Sequence, residues 1–242
     1  MKTHAKYVVP NGFTALSMLF GLASVGAAAG GDFTQAAWFI LWGVLLDKLD
    51  GTSARLLKAT SEFGMQFDSF ADFVVFGVAP AALVYFRLGD LVSRPLLLLC
   101  VGFFVVCTAA RLARFNIAEP PLGDRLFYGI PTTLIGAVLA SGYLTWEIHH
   151  LGDTLLRAFP MLLLVAGVAM VSNVRLPKLK GRANRALHWF QVANVVLVYA
   201  MTPFKLLPEY LLFLCALYLG VGVTWGLLNP PSDEDVATAK AA

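Results

Sequence analysis

Eight apolar segments account for most of the chain, and each is close to the length that a helix needs to cross a bilayer. They lie at residues 11–30, 33–57, 64–86, 95–115, 130–148, 154–172, 186–202 and 206–228. A membrane-spanning helix needs about 20 apolar residues. Hydrophobic residues make up 58% of the chain, charged residues 14%, and the mean hydropathy is +0.73, which is atypical of a water-soluble domain. The sequence therefore predicts an all-α polytopic membrane helix bundle with about eight transmembrane helices.

The basic residues predict how these helices are oriented. If the N-terminus is cytoplasmic, only Arg87, Arg94, Arg157 and Lys205 of the eighteen Lys and Arg residues fall on the other side of the membrane. Cytoplasmic loops carry an excess of positive charge, so we predict an integral protein of the inner, cytoplasmic membrane. Residues 1–228 are expected to form a single transmembrane catalytic domain, and the polar segment 229–242 a flexible cytoplasmic tail.

The first apolar segment has a basic start, so a cleaved signal peptide must be considered. It is followed at once by further apolar spans and lacks a convincing cleavage site, and we interpret it as a retained helix. Pro10 and Asn11 are expected to mark its beginning, because proline is well placed at a helix start. Asn11 is interpreted first as a cap or turn residue and second as a site residue.

Four aspartates, Asp47, Asp50, Asp68 and Asp72, lie inside this apolar sequence. Acidic residues are costly in a bilayer and mark functional sites. The first two are three residues apart and the last two four apart, so each pair shares one face of a helix. Polar and glycine residues between the pairs predict a hairpin. At 1.5 Å per residue, Asp47 lies roughly 15 Å before the end of its helix and Asp72 about 12 Å into the next one. All four carboxylates are therefore expected to reach similar depth from the same membrane face.

A group of four carboxylates needs positive charge, because neighbouring acids oppose each other's ionisation. Divalent cations would supply it. Oxygen ligands without nearby Cys or His favour Mg²⁺ or Mn²⁺ over zinc. The three cysteines, Cys100, Cys107 and Cys215, lie in apolar spans and are interpreted as inert buried thiols.

A second pair of charges, Arg111 and Arg114, closes the fourth predicted helix on the cytoplasmic side. Three residues apart, they share a helix face. Two guanidinium groups there can bind phosphate and balance the acids, or they can extend to lipid headgroups at the end of the helix. Their sequence positions leave both interpretations open.

The acidic hairpin carries a motif of a known family. It reads Asp47-x-x-Asp50-Gly51-x-x-Ala54-Arg55, then, after eight residues, Gly64-x-x-x-Asp68-x-x-x-Asp72. This pattern resembles the signature of the CDP-alcohol phosphotransferases, integral membrane enzymes that displace CMP from a CDP-linked lipid or alcohol. Lys48 departs from the family pattern, which more often has a neutral or small residue between the first two acids.

Further motifs resemble the phosphatidylserine synthase branch of that family. They read Ser61-Glu62-Phe63-Gly64, Phe76-Gly77-x-Ala79-Pro80-Ala81, Arg111-Leu112-Ala113-Arg114-Phe115-Asn116 and Gly129-Ile130-Pro131-Thr132. The resemblance extends over residues 10–133. It implies transfer of the phosphatidyl group from CDP-diacylglycerol to L-serine, with release of CMP, and a homodimer in the membrane.

The resemblance also implies roles for individual residues. Two Mg²⁺ or Mn²⁺ ions would be held by the four aspartates, and Asp72 would also be the general base. The nucleotide and diphosphate would contact Gly51, Ala54, Arg55 and Gly64. The acceptor or its phosphate would contact Arg111, Arg114 and Asn116.

Two other segments have open interpretations. The loop 118–129 is expected to cover the mouth of the cavity, where it would contact serine or serve only as a turn. The segment 175–185 carries five positive charges in eleven residues. It is expected to attract anionic membrane lipids or to set the topology alone. Nucleic-acid binding is not expected, because no aromatic or fold signal accompanies the charge.

Other functions are compatible with part of this pattern. The same transfer could use glycerol 3-phosphate or inositol as acceptor, or an archaeal-type CDP-lipid as donor. An ion-coupled transporter also places acids in the membrane, but it predicts internal repeats or interrupted helices, and the sequence shows neither. The intact acidic set argues against a catalytically silent scaffold.

Overall fold

Helices dominate the fold. The computed structural model describes residues 2–117, 126–177, 196–198 and 200–228. The helices are α1 (Lys2–Ala29), α2 (Phe33–Leu56), α3 (Glu62–Asp72), α4 (Ala79–Leu88), α5 (Arg94–Ile117), α6 (Thr132–His149), α7 (Asp153–Leu156), α8 (Phe159–Val171) and α9 (Pro208–Leu228). A π-helical segment, Phe73–Val78, joins α3 to α4. Two short strands, β1 (Leu126–Tyr128) and β2 (Arg175–Pro177), pair antiparallel.

Five helical segments within the described residues are long and apolar enough to cross a membrane. They are Lys6–Ala29, Glu62–Leu88, Arg94–Ile117, Asp153–Val171 and Pro208–Gly226. Helix α2 is not among them because Asp47, Lys48 and Asp50 interrupt its apolar sequence. The all-α membrane fold is thereby confirmed. The count of eight helices stays a prediction, since most of the predicted segment 186–202 lies outside the described residues.

The start of the first helix was predicted wrongly. Helix α1 begins at Lys2, and Pro10 lies inside it. A proline removes only one backbone hydrogen bond, the one that residue 10 would donate to the carbonyl of Lys6, and the helix continues through that position. The extra turns bring Lys6 to the end of α2, where its Nζ donates to the carbonyl of Lys58 at 3.0 Å.

The predicted hairpin between the two acidic pairs is present, and backbone geometry defines both of its ends. After α2, Lys58 adopts a left-handed conformation with φ of 48°. The N–H of Ala59 donates to the carbonyl of Ala54 at 2.8 Å, as in a Schellman motif. Ser61 then caps the start of helix α3, because its Oγ accepts a hydrogen bond from the N–H of Gly64 at 3.0 Å. A short connection therefore holds α2 and α3 in a fixed relation.

The π-helical segment packs into the centre of the bundle through glycine contacts. A Cβ atom on Gly43 of α2 would lie 2.3 Å from Val75, and one on Gly21 of α1 would lie 2.9 Å from it. Phe76 is fully buried and packs in the same way against Gly136 of α6. Small residues allow helices to approach closely inside a membrane. This packing sets the position of Asp72, the residue directly before the π-helical segment.

The core continues towards the other helices. Helix α1 packs along α2, α5 packs along α8, and α6 packs against both α2 and α9. Phe104 of α5 and Leu139 of α6 are among the largest fully buried side chains. The predicted tail 229–242 and most of the loop 118–129 and of the basic segment 175–185 lie outside the described residues.

Candidate active site

Three of the four predicted carboxylates meet on the hairpin. Asp47 and Asp50 project from α2 and Asp68 from α3, and one carboxylate oxygen of each lies within 4.8 Å of the others. Asp72 lies one turn after Asp68. It interacts electrostatically with Asp47 and Asp68 but is not a member of this close group. The structure thus forms the predicted acidic cluster, with Asp72 at its side.

Arg111 is the cation that α5 brings to the acids. It is only 7% exposed, and it interacts electrostatically with Asp72 and Asp47. Its Nη1 donates to Thr132 Oγ1 at 3.3 Å, and its guanidinium lies 5.2 Å from the ring centre of Phe115. Lys48 also interacts electrostatically with Asp47, and Arg55 with Asp50, so three cations face four carboxylates. The remaining negative charge, all on oxygen, fits a hard divalent cation such as Mg²⁺ or Mn²⁺.

A cavity of about 600 Å³ opens beside Asp50 and Asp68. Its walls come from α1, from the end of α2 and from the start of α3, and it is lined by Pro10, Asn11, Thr14, Asp50, Gly51, Ala54, Arg55, Ala59, Thr60, Ser61, Glu62, Gly64, Met65 and Asp68. Its volume is within the range of small-molecule sites, about 300 to 1,000 Å³. The four residues predicted to contact the nucleotide all line this cavity.

The two cavity glycines have different surroundings. A Cβ atom on Gly51 would meet nothing closer than the guanidinium of Arg55, at 3.8 Å, so this position faces open space. A Cβ atom on Gly64 would lie 3.1 Å from Ser61 Oγ and 3.4 Å from Asn11 Oδ1. Gly64 therefore keeps room for the N-cap of α3, while Gly51 leaves room for a ligand.

Lys48, the departure from the family pattern, does not line the large cavity. It lies at a second cavity of about 190 Å³, together with Asp47, Thr133 and apolar residues of α2 and α9. Its side chain is exposed. The additional cation therefore lies near Asp47 and outside the candidate nucleotide cavity.

The three residues predicted to contact the acceptor diverge in the structure. Arg111 reaches the acids. Arg114 donates to the carbonyls of Val171 at 2.9 Å and Ser172 at 3.0 Å, where α8 ends. Asn116 donates to Ser69 Oγ at 2.9 Å on α3. These hydrogen bonds fix the end of α5 against α8 and α3, and an acceptor contact of Arg114 or Asn116 stays a prediction.

Two threonines of the site were missed by the sequence reasoning. Thr14 of α1 donates to Asp50 Oδ2 at 2.8 Å, and Thr133 of α6 approaches Asp47 Oδ2 at 3.5 Å. Asn11, interpreted from sequence first as a cap or turn residue and second as a site residue, lines the large cavity. The sequence places Thr14 one turn after Pro10, but this position does not indicate which neighbouring residue the hydroxyl contacts.

Comparison with known proteins identifies similar chains. The family model of the CDP-alcohol phosphatidyltransferases matches residues 7–173. A CDP-diacylglycerol–serine O-phosphatidyltransferase of Helicobacter pylori is 35% identical over 225 residues, which is 92% of this chain and 92% of that protein. A protein of the same name from Bacillus subtilis is 32% identical over 184 residues, covering 74% of this chain and 95% of the relative. The similarity therefore includes the acidic hairpin and extends beyond it.

Proposed function

We propose that this chain, which belongs to the CDP-alcohol phosphatidyltransferase family, transfers the phosphatidyl group of CDP-diacylglycerol to L-serine and releases CMP. In this reaction the serine oxygen forms a bond to the phosphorus that carries diacylglycerol, and the bond from that phosphorus to the CMP oxygen breaks. The observation that supports the proposal most is the cluster of Asp47, Asp50 and Asp68 beside a cavity of about 600 Å³. The choice of L-serine as the acceptor rests on the relatives, which are named as serine O-phosphatidyltransferases.

The acidic cluster is the proposed metal site. Asp47, Asp50, Asp68 and Asp72 would hold Mg²⁺ or Mn²⁺, two ions in our proposal. When bound, the ions would neutralise the diphosphate and stabilise the charge that develops on the departing CMP oxygen. The protein itself positions the reactants, since phosphoryl transfer requires alignment and charge stabilisation more than covalent help.

The large cavity is the proposed nucleotide site. Gly51 faces open space there and allows close approach of the cytidine diphosphate. Ala54 is small, and Arg55 is placed on the same wall to meet a phosphate. Gly64 lines the cavity at the start of α3. We propose these four residues as the contacts of the CDP part of the donor.

Asp72 is the proposed general base, which would take the proton of the serine hydroxyl. It lies beside the cluster and close enough to Arg111 for an electrostatic interaction. A base must reach the proton within hydrogen-bond distance or through one water. Arg111 is the proposed contact for the serine carboxylate or the lipid phosphate. Arg114 and Asn116 are proposed to support the same end of the site.

The proposal includes the setting of the enzyme. Residues 1–228 would form one catalytic domain in the inner membrane, with the acidic hairpin near the cytoplasmic face. CDP-activated lipid and serine would enter from that face. A homodimer is proposed from the family resemblance.

A test with several acceptors distinguishes the serine reaction from its alternatives. Purified protein receives Mg²⁺ or Mn²⁺, CDP-diacylglycerol and one acceptor at a time: L-serine, glycerol 3-phosphate or inositol. An archaeal-type CDP-lipid replaces the donor in a parallel series. We expect CMP release and a serine-containing lipid only with L-serine and CDP-diacylglycerol. Release with another alcohol only, or ion flux into vesicles without any CMP, would contradict the proposal.

A further inference from the structure

Asp50 differs from the other acids of the cluster in its surroundings. Its side chain is only 5% exposed to solvent. Its Oδ2 accepts a hydrogen bond of 2.8 Å from Thr14 Oγ1, across the contact between α1 and α2. A buried carboxylate needs hydrogen bonds, since removal from water without them is costly. Thr14 supplies one of them from a helix that carries no acid of the cluster.

The Thr14 hydroxyl is itself fixed. It is 3% exposed, and its Oγ1 also lies 3.1 Å from the carbonyl oxygen of Pro10 in the preceding turn. One hydroxyl hydrogen serves both acceptors. Hydrogen bonds to an ionised acceptor are shorter and stronger than those to a neutral carbonyl, and the 2.8 Å distance to Asp50 agrees with that preference. The hydroxyl thereby orients the carboxylate and leaves its negative charge in place.

We infer that Thr14 is a positioning residue that orients the Asp50 carboxylate for metal binding. The inference rests on the proposed function, because it requires the acidic cluster to bind a divalent cation. An acid held by Lys or Arg would lose part of its attraction for a cation, whereas a neutral donor retains it. With the Asp50 carboxylate held by Thr14 through Oδ2, its orientation toward a bound ion would be fixed.

Helix α6 places a second threonine in a similar position but at longer distance. Thr133 Oγ1 lies 3.5 Å from Asp47 Oδ2, at the upper limit of a hydrogen bond. Each acid of α2 thus faces a threonine from a different helix, and only the contact of Thr14 has a short distance. We therefore assign the stronger effect to Thr14.

The test measures metal binding directly, without substrate or turnover. Free Mn²⁺ is followed by electron paramagnetic resonance while purified protein is titrated with the metal. Loss of a residue that hydrogen-bonds a metal ligand typically weakens metal binding about 10- to 100-fold. We expect Thr14→Val to weaken Mn²⁺ binding by about tenfold, and Thr14→Ser, which keeps the hydroxyl, to bind within a factor of about two of the unchanged protein.

Thr145→Val is the matched control. Thr145 of α6 donates a hydrogen bond to the carbonyl of Ser141 one turn earlier, at 2.8 Å. Thr14 can make the same kind of bond to the carbonyl of Pro10. Thr145 does not line either cavity beside the acidic cluster. Its replacement is expected to leave Mn²⁺ affinity unchanged. Equal weakening by Thr145→Val and Thr14→Val would show a general effect of the substitution and overturn the inference.

The remaining outcomes separate this inference from the proposed function. If the unchanged protein binds Mn²⁺, Asp50→Asn abolishes that binding and Thr14→Val has no effect, the positioning role is wrong and the proposed function stands. If Thr14→Ser binds Mn²⁺ as weakly as Thr14→Val, the hydroxyl group does not support metal binding and the inference is also wrong. If the unchanged protein binds no Mn²⁺, the proposed metal site fails and this inference fails with it.

Discussion

Asp68 is the residue through which α3 joins the two acids of α2. Because Asn has nearly the same shape as Asp but no charge, Asp68→Asn tests the charge alone. We expect CMP release to fall by more than about 100-fold. Loss of a residue that only hydrogen-bonds a metal ligand already lowers metal affinity or activity by up to about 100-fold. Initial rates of CMP release at saturating CDP-diacylglycerol and serine measure the effect.

Asp90→Asn provides the control for this substitution. Asp90 is exposed after α4 and outside the acidic cluster, so its replacement should leave the rate unchanged. Normal CMP release by a folded Asp68→Asn variant would remove this acid from the proposed metal site.

Gly51 provides a test of the nucleotide cavity. A side chain at this position would extend into open space, because the nearest atom to its Cβ is 3.8 Å away on the flexible Arg55 side chain. We expect Gly51→Leu to fold but to raise KM for CDP-diacylglycerol about tenfold. The new side chain would occupy space that the bound donor needs, and overpacking costs about 1 to 3 kcal/mol.

Gly26→Leu in α1 is the matched substitution, since a Cβ atom there meets nothing within 4 Å and Gly26 does not line the cavity. It should leave KM unchanged. An unchanged KM in Gly51→Leu would place the donor elsewhere.

The sequence predicts some residues of the site and not others for a physical reason. Spacing along one helix determines which residues share a face, and so Asp47 and Asp50 were predicted together. The contact of Thr14 with Asp50 depends on how α1 is rotated against α2, which tertiary packing decides. Arg111 and Arg114 share a helix face as predicted, but their long side chains diverge at the end of α5, one to the acids and one to the carbonyls that end α8.

At the scale of helices, the contact of Gly43 with Val75 fixes α2 against the π-helical segment that follows Asp72. A methyl group on residue 43 would lie 2.3 Å from Val75 Cγ1, which requires the helices to move apart. We expect Gly43→Ala to lower the free energy of unfolding by about 1 to 3 kcal/mol. Thermal unfolding in detergent measures the change.

The double variant tests whether this one contact is the cause. Val75→Ala removes Cγ1, the methyl group that Gly43→Ala would meet, so the double variant should recover most of the stability lost by Gly43→Ala alone. Additive losses in the double variant would show that the two positions do not interact.

The elements themselves were predictable where local chemistry determines them. Gly, Ser and Thr residues between the acidic pairs mark the hairpin, and Ser61 caps α3 at its start. The beginning of α1 was missed because proline at residue 10 was interpreted as a start signal, although the helix continues through it. The π-helical segment was not predicted, since close packing against Gly21, Gly43 and Gly136 determines it rather than a local motif.

At the scale of the whole molecule, the distribution of basic residues predicts that the hairpin faces the cytoplasm. Thr60 lies exposed in the hairpin turn, and His150 lies exposed after α6. The native cysteines are buried, so a new cysteine can be labelled selectively. We expect Thr60→Cys to react with a membrane-impermeant maleimide only in inside-out vesicles, and His150→Cys only in intact cells. The reverse pattern would invert the proposed topology.

The fold class follows from apolar length and composition, and the described helices confirm it. The pairing of β1 with β2 was not predicted, because three-residue strands provide too short a pattern to distinguish from a loop. That pairing brings the chain before α6 next to the chain after α8. It thereby helps to position the start of α6, which contributes Thr132 to Arg111.

The most direct test of the proposed site is anomalous diffraction from crystals that contain Mn²⁺ and CDP-diacylglycerol. We predict Mn²⁺ peaks within coordination distance of Asp47, Asp50 and Asp68, with the cytidine diphosphate in the adjoining cavity beside Gly51. Peaks confined to other parts of the protein, or a donor lipid bound away from this hairpin, would contradict the proposed active site.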